Sequence, residues 1–396
     1  MTARTESFAC GANRRRQINP LSHRYRTMGS ATFTGRYLLL CTQLIICFTL
    51  TSPVCDAFAV STSPSTPNIL ICDVQPNLRH HLDAYEARGL AVIHHLNADD
   101  EGLACRLEMG DVDAFVIRSS NSVSSNVVKR LPTQVRVLGR AGVGVDNIDL
   151  EACRDADISV VTAAGASAVA VAEHALGLML AVARRIKPAA KSIEMGQWLR
   201  STLTGTGLRG KTVGVVGFGA IGKEFTKMCI SLGMKVLIAP TMESRSSSEN
   251  ATEERIQSIS QVGAEAAESS EDLLRQSDFI SIHLPLTDET KDFIGKEELA
   301  LMKKTAFLIS TVRGGVVDEK ALLDSMQNGE IAGAALDVFE SEGPQVSEDK
   351  VLTDLARLDS AVVVPHLGGH TSESQAAVWD CVMERVLTEL KSQLSN

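Results

Sequence analysis

Residues 211–225 read KTVGVVGFGAIGKEF, an apolar run that leads into three spaced glycines and then into a helical pattern. The glycines, Gly217, Gly219 and Gly222, have the spacing G-x-G-x-x-G, which brings the backbone against a pyrophosphate at the start of a helix. A strand before the glycines and a helix after them are the context that this motif requires. The stretch predicts a parallel α/β fold that binds a dinucleotide through this loop, including Ala220 and Ile221.

The part of this site that holds the adenosine lacks its usual acidic side chain. In dinucleotide-binding folds, an acidic residue about 20 positions after the glycines binds the ribose hydroxyls. Here the next predicted strand, residues 234–239, is followed by Pro240 and Thr241, and then by Ser244 and Arg245. Small polar residues with an arginine suit a ribose 2′-phosphate. We expect NAD as the cofactor, and these residues leave NADP as an open alternative.

The composition is that of a globular protein with an acidic body. The chain has 396 residues, is 44% hydrophobic and 22% charged, and is long enough for two domains. The formal net charge is −9, although residues 1–66 contain seven arginines, no lysine and two acidic residues. An acidic body disfavours nonspecific binding to nucleic acid. We expect a small-molecule substrate and no nucleic-acid partner.

The cysteines and histidines do not form a metal-binding pattern. Nine cysteines are present without a C-x-x-C pair, which favours reduced, buried thiols over a disulfide framework or a zinc site. The thiols of the body are Cys72, Cys105, Cys153, Cys229 and Cys381. His366 and His370 have a metal-like spacing, but two glycines separate them and no cysteine pair or carboxylate completes a site. We expect no metal.

Residues 1–66 form a separate N-terminal segment. An arginine-rich start precedes the apolar stretch YLLLCTQLIICFTL at 37–50. This stretch is short for a membrane-spanning helix, which needs about 20 residues, and it suits the apolar region of a signal peptide. The sequence CDAFAV at 55–60 resembles the Ala-Phe cleavage region of bipartite presequences that target secondary plastids.

This resemblance predicts that residues 1–66 are a targeting presequence and linker, with Met28 as an alternative start. The mature protein is then expected in a plastid without membrane contact. A membrane anchor or entry into the secretory pathway is the alternative.

From residue 68 onward, short apolar runs alternate with helical patterns, as in α/β proteins. The first parallel sheet is expected to use residues 69–73, 91–94, 114–118, 135–139 and 158–161. The second is expected to use residues 212–216, 235–239, 279–283, 306–309, 333–338 and 361–364. We expect a helix at 172–186, buried against the other domain or another subunit, and an exposed loop-plus-helix insertion at 243–269. A final helix at 372–393 should cover the first sheet.

Several motifs occur in a fixed order after the N-terminal segment. They are VLGRAGVGVDNID at 137–149, LGMKV at 232–236, HLPLT at 283–287, RGGVVD at 313–318, GAALDVF at 333–339 and PHLGG at 365–369. With the glycine loop, they resemble the D-isomer-specific 2-hydroxyacid dehydrogenases, and most of all the D-3-phosphoglycerate dehydrogenase branch of that family.

The resemblance implies two Rossmann-like, doubly wound parallel-sheet domains, of which the substrate domain is discontinuous. The substrate domain would comprise residues 67–164 and 367–396, and the NAD(P)-binding domain residues 165–366. The implied reaction transfers hydride between a nicotinamide cofactor and a D-2-hydroxy acid. D-3-phosphoglycerate, oxidised to 3-phosphohydroxypyruvate on the way to serine, is the expected substrate. The alternatives are a glyoxylate or hydroxypyruvate reductase and a non-catalytic NAD(H)-sensing protein. A homodimer through helix 172–186 is also expected.

Three residues are the catalytic candidates. Arg313 follows an apolar strand, where its planar fork can grip a carboxylate in a bidentate way. His366 follows the last strand, and an imidazole with a pKa of about 6.5 suits proton transfer. The resemblance implies that Glu342 orients His366, with Glu340 as the competing candidate. It places Asp337 near the nicotinamide carboxamide rather than in proton transfer.

Further contacts are implied on both sides of the reaction. Two arginines at the ends of neighbouring strands can converge on a phosphate. The substrate candidates are Arg118, Ser119, Arg140 and Gly142. Besides residues 217–222, the cofactor candidates are Val143, Pro240, Thr241, Leu284, Thr311, Val312, Arg313, Asp337, His366 and Gly368.

Two departures from the family pattern affect the expected substrate and regulation. Where the family has Asn-Ala-Pro…Asn, this chain has Thr162-Ala163-Ala164…Ser167, which leaves strict phosphoglycerate specificity open. The chain ends at Asn396, soon after the last predicted helix. We therefore expect the short form, without the serine-sensing C-terminal domain of longer relatives.

Overall fold

The computed structural model describes residues 66–73, 78–96, 100–240 and 249–394. The predicted presequence up to residue 65 lies outside the described residues, as do Thr241, Ser244 and Arg245. The described residues have the predicted α/β fold, with two parallel-sheet domains of five and seven strands. None of their helices is long and apolar enough to cross a membrane.

The first sheet contains five parallel strands in the order β2-β1-β3-β4-β5. The strands are β1 (Asn68–Cys72), β2 (Val92–Leu96), β3 (Ala114–Ile117), β4 (Val137–Arg140) and β5 (Ser159–Thr162). Every residue of β3 and β4 is buried, as expected for a parallel sheet covered on both faces.

Five helices cover the two faces of this sheet. They are α1 (Arg79–Ala87), α2 (Asp100–Leu107), α3 (Ser125–Val128), α4 (Leu150–Asp155) and α13 (Ser372–Leu394). Side chains alternate along each strand, so that Ile69 and Val116 pack against α1 and α13, while Leu70 and Phe115 pack against α2 to α4. The C-terminal helix α13 therefore returns to the first sheet, as the sequence predicts, and it buries Trp379 there.

The second sheet contains seven parallel strands in the order β12-β11-β10-β9-β6-β7-β8. The strands are β6 (Thr212–Val216), β7 (Lys235–Ile238), β8 (Glu265–Ala266), β9 (Phe279–Ile282), β10 (Phe307–Ser310), β11 (Gly333–Leu336) and β12 (Ala361–Val363). The helices around it are α5 (Ala168–Ala183), α6 (Ile186–Glu194), α7 (Ala220–Ser231), α8 (Glu249–Gln261), α9 (Ser270–Gln276), α10 (Lys296–Leu301), α11 (Glu319–Gln327) and α12 (Lys350–Arg357).

The strand order reverses once in each sheet, and a crevice at the carboxyl ends of the strands is expected at each reversal. In the first sheet the reversal lies between β1 and β3. In the second it lies between β6 and β9, directly after which come Gly217 and His283. The reversals therefore bring chain segments far apart in sequence to one edge of each sheet.

The structure corrects three expectations. The segment 243–269 contains helix α8, as predicted, but also the edge strand β8, which pairs with β7. A strand of two exposed residues has no apolar alternation by which it can be recognised in sequence. The helix expected at 172–186 begins at Ala168 and ends at Ala183, because Arg185 adopts a left-handed φ of 52° before α6 begins.

The third correction concerns the thiols. Cys72, Cys153 and Cys229 are buried as expected, but Cys105 is exposed and Cys381 only half-buried.

Candidate active site

The glycine loop joins β6 to the N-terminus of α7. Gly217 has a φ of 100°, and a Cβ added to it would lie 2.6 Å from the carbonyl carbon of His283, so a side chain fits neither the conformation nor the space. Gly219 caps α7 without a side-chain hydrogen bond, and no heavy atom lies within 4 Å of the Cβ position there. This open space in front of a helix N-terminus fits the pyrophosphate of a dinucleotide.

The ends of the neighbouring strands provide the rest of a cofactor site. Ser310 is the last residue of β10 and Thr311 follows it, and the hydroxyls of both are buried without a hydrogen-bond partner among the described residues. Val312 is buried beside them, and Leu284 is half-buried after β9. Buried polar atoms without partners are uncommon and fit groups that a bound ligand satisfies. The sequence predicted Thr311 and Val312, but not Ser310, as cofactor contacts.

His366 and Glu342 form a hydrogen-bonded pair. The His366 Nδ1 atom lies 2.7 Å from Glu342 Oε2, and Glu342 Oε1 accepts a 3.3 Å hydrogen bond from the Phe339 backbone amide. The hydrogen bond to Glu342 raises the pKa of His366, although burial opposes this. Burial tends to raise the pKa of Glu342, but the hydrogen bond and charge of His366 outweigh it and lower that pKa. The pair favours Nδ1 as the protonated nitrogen and leaves Nε2 as the proton acceptor.

The competing carboxylate, Glu340, lies elsewhere. Its backbone amide donates a 2.7 Å hydrogen bond to Glu319 Oε1, and its side chain lies beside the Cβ position of Gly315. Of the two candidates, the structure therefore places Glu342 against His366.

Asp337 anchors the loop that carries the histidine. His366 has a left-handed φ of 54°, and its amide donates to the Asp337 carbonyl at 2.8 Å. The fully buried Asp337 carboxylate accepts the amides of Leu367 at 2.6 Å and Gly368 at 2.8 Å, and it lies 3.1 Å from His174 Nε2. Because three amides bind to one residue, the strained histidine is held in place. The sequence indicated Asp337 but not its partner His174.

Arg313 extends towards the loop after β4. Its Nη1 donates to the Val312 carbonyl at 2.8 Å, and its Nε lies 3.4 Å from Asp146 Oδ2. Gly144 makes room for the guanidinium, since a Cβ on Gly144 would collide with Arg313 Nη2. The charge of Arg313 tends to lower the pKa of both His366 and Glu342, although other effects on each group are larger.

Arg140 is a buried cation without an ion-pair partner among the described residues. It ends β4, is 8% exposed, and donates to the Ala141 carbonyl at 2.8 Å and to Asn147 Oδ1 at 3.4 Å. Burial, and then repulsion from Arg313 and Arg118, lowers the pKa of Arg140 to about 10.

Arg118 approaches the same place from the end of β3. It donates to the Asp73 carbonyl at 3.4 Å, and its own carbonyl accepts a 3.0 Å hydrogen bond from Asn147 Nδ2. Arg118, Arg140 and Arg313 form one group of cations, hereafter the arginine cluster. Such a cluster can bind a ligand with several negative charges.

The remaining predicted residues are distributed around this site. Ser119 is exposed beside Arg118, Gly142 abuts the Arg140 guanidinium, and Val143 is exposed in the same loop. Pro240 follows β7 and is half-buried.

The sequence missed Asp146 and Asn147, although both lie in the quoted stretch 137–149. The sequence of a loop does not show which of its charged and polar side chains will contact an arginine from another sheet. Only the fold brings Asp146 to Arg313, 167 positions away.

The chain is similar to D-2-hydroxyacid dehydrogenases. The profile of the D-isomer specific 2-hydroxyacid dehydrogenase, NAD binding domain, matches residues 176–368. The hydroxypyruvate reductase of Thermotoga maritima is 37% identical over 71% of this chain and 85% of that protein. The chloroplastic D-3-phosphoglycerate dehydrogenase 3 of Arabidopsis thaliana is 38% identical over 72% of this chain and 45% of that protein.

A solved structure of a reductase is also similar to this chain. The crystal structure of a glyoxylate reductase from Paecilomyes thermophila has a TM-score of 0.67 and 30% identity, and the match covers 83% of this chain and 95% of that one. In contrast, the chain spans about half of the length of the D-3-phosphoglycerate dehydrogenases that it matches.

Proposed function

The chain belongs to the D-isomer-specific 2-hydroxyacid dehydrogenases, and on that premise we propose that it oxidises D-3-phosphoglycerate to 3-phosphohydroxypyruvate. The observation that carries this choice of substrate is the arginine cluster, in which the buried Arg140 has no ion-pair partner among the described residues. A substrate that bears a carboxylate and a phosphate supplies the negative charges that the cluster lacks.

In this proposal the residues of the site divide the work between binding and proton transfer. Arg313 binds the carboxylate, and Arg118 and Arg140 bind the phosphate, with Ser119 beside them. The Nε2 atom of His366 accepts the proton of the C2 hydroxyl, and Glu342 stabilises the imidazolium that forms. NAD, the cofactor of the family domain, supplies the hydride acceptor when it is bound.

The cofactor is assigned to groups whose geometry suits it. The amides at the start of α7 would bind the pyrophosphate, and Thr311 would offer the cofactor its hydroxyl, which has no partner among the described residues. Since the Asp337 carboxylate already accepts two amides, its proposed contact with the nicotinamide carboxamide would be made in addition to its role as an anchor.

A reductase of glyoxylate or hydroxypyruvate is the second candidate. The residues Thr162–Ser167 that depart from the family pattern favour it, as do the relatives with those names. Such a reductase needs Arg313, Glu342 and His366 but has no use for a phosphate site.

Initial rates on 3-phosphohydroxypyruvate, hydroxypyruvate and glyoxylate distinguish the two candidates. We expect kcat/KM to be at least about a hundredfold higher for the phosphorylated substrate, because two charge-assisted contacts to phosphate are gained. Equal values, or a preference for hydroxypyruvate, would support the reductase instead.

We also propose a homodimer, which would use the surface directly after the predicted dimer helix. Much of α5 is buried against the second sheet of its own chain. A group of five exposed apolar residues follows it, of which Trp198 is 81% exposed. The others are Ile186, Ile193, Met195 and Leu199. A face of this kind is typical of a subunit interface. Light scattering should show a dimer for the wild type and a monomer for Trp198→Glu; a monomeric wild type would refute the proposal.

Plastid import remains a proposal that rests on the presequence. Relatives with chloroplastic names exist in Arabidopsis thaliana. A fluorescent fusion of residues 28–70 should enter plastids, and a cell-surface or diffuse cytosolic signal would contradict it.

A further inference from the structure

We infer that Arg255 binds a ribose 2′-phosphate, so that this chain accepts NADP(H) as well as NAD(H). The inference extends the proposed function, since it requires that the chain use a nicotinamide cofactor, but it does not depend on which 2-hydroxy acid is the substrate.

The position of Arg255 follows from the topology of the second sheet. Strand β7 pairs with β6, and the Ala239 amide donates to the Val215 carbonyl at 2.9 Å. The carboxyl end of β7 therefore lies beside the glycine loop, where dinucleotide folds bind the adenosine ribose. Arg255 lies on α8 and reaches back to this end, since its Nη2 donates to the Ala239 carbonyl at 2.6 Å.

Among the described residues, no carboxylate balances the charge of Arg255 by an ion pair. Burial lowers the pKa of Arg255. One hydrogen bond to a carbonyl uses a single donor of the five in a guanidinium. The remaining donors have the planar arrangement that matches a phosphate.

The residue at the end of the strand agrees with this assignment. An acidic side chain there would bind the two ribose hydroxyls and repel a 2′-phosphate. Ala239 and Pro240 have neither a hydroxyl acceptor nor a negative charge. The described part of this subsite thus offers a cation to a phosphate and no carboxylate to a diol.

A purely structural role for Arg255 makes a different prediction. If the side chain only ties α8 to β7, its loss affects stability but does not discriminate between nucleotides that differ in one phosphate. Binding of 2′,5′-ADP and 5′-AMP therefore separates the two roles without any turnover.

The experiment measures both nucleotides by calorimetry on the purified chain and on Arg255→Gln, with the exposed Arg275→Gln on α9 as the matched control. We expect the wild type and the control to bind 2′,5′-ADP at least about tenfold more tightly than 5′-AMP. Arg255→Gln should lose this difference while its affinity for 5′-AMP stays within about threefold.

Two results would overturn the inference: equal affinities of the wild type for the two nucleotides, including no measurable binding of either, or a preference that survives in Arg255→Gln. If Arg255→Gln does not fold, Arg255→Lys replaces it, because lysine keeps the charge but not the planar fork. Arg255→Lys should retain only part of the preference for 2′,5′-ADP. Full retention of the preference, or a wild type without any preference, would contradict the inference. Loss of activity on 3-phosphoglycerate would bear on the proposed function alone, since nucleotide binding is measured without substrate.

Discussion

The charged groups of the Glu342–His366 pair and those of the arginine cluster differ in whether they have partners of opposite charge. In the pair, each charge has a partner 2.7 Å away, and each pKa shifts towards the charged form. In the cluster, the exposed Asp146 forms its one ion pair among the described residues with Arg313, and the pKa of the buried Arg140 falls to about 10. The pair is satisfied in the protein alone, whereas the buried Arg140 has no ion-pair partner among the described residues, and we propose that a bound anion supplies one.

On the proposed function, the pair carries the chemistry of the site and the arginines Arg118 and Arg140 carry its specificity. A paired imidazole keeps its orientation and protonation for any substrate of the family. A buried cation without an ion-pair partner destabilises the folded protein when no ligand is bound. Such unfavourable burial of charge is expected at functional sites. Changes to the pair should therefore affect all substrates alike, whereas changes to Arg118 and Arg140 should affect phosphorylated ones.

Replacement of the histidine has the largest expected effect. His366→Asn removes the proton acceptor, and kcat should fall by about 10²- to 10⁴-fold on phosphorylated and unphosphorylated substrates alike. Steady-state kinetics would show this, with His370→Asn, an exposed histidine four positions on, as the control. A His366→Asn enzyme that keeps more than a tenth of wild-type kcat would show that the pair does not transfer the proton.

Replacement of Arg313, which we propose to bind the substrate carboxylate, should have the next largest effect. Arg313→Lys keeps a charge but loses the bidentate fork, so kcat/KM should fall by about 10- to 100-fold. The loss should be the same for 3-phosphohydroxypyruvate and hydroxypyruvate, since both carry the carboxylate. If only the phosphorylated substrate were affected, Arg313 would belong to phosphate binding instead.

The pH profile tests the pairing of Glu342 with His366. The hydrogen bond to Glu342 raises the pKa of His366. Oxidation requires neutral His366, so its rate should rise with pH through this raised pKa, whereas reduction requires the protonated form and should decline through it. In Glu342→Gln the pKa of His366 falls, and both midpoints should move to lower pH. Unchanged midpoints would show that another group titrates.

Stability should show the smallest change. Arg140→Met removes a buried cation that Arg118 and Arg313 repel, and a long apolar side chain can occupy the same space. The Tm in an anion-free buffer should rise by about 2 °C. Differential scanning calorimetry would measure this, and a decrease in Tm would show that the hydrogen bonds of Arg140 outweigh the repulsion.

The sequence was sufficient for most of the fold because buried parallel strands are continuous apolar runs. Strands β6 and β10 lie within one residue of their predicted bounds. The edge strand β8 was missed, since two exposed residues carry no pattern. The break at Arg185 was also missed, because the apolar pattern continues across it.

Much of the candidate site was also within reach of the sequence. Motif order led to Arg313, Glu342 and His366, and to Arg118 and Arg140, but their roles stay predictions. Asp146, His174 and Arg255 were not recognised, since each meets its partner through the packing of distant segments. A contact such as His174 with Asp337 depends on the register of α5 against β11, which no local pattern specifies.

The most direct test of the division between pair and cluster is the ratio of kcat/KM for 3-phosphohydroxypyruvate to that for hydroxypyruvate, measured in the wild type and in Arg140→Met. If the unpaired cations bind the phosphate, the ratio should fall by at least about tenfold in the variant, while the value for hydroxypyruvate stays within about threefold. A ratio that does not change, because both substrates are affected equally or neither is, would contradict the account.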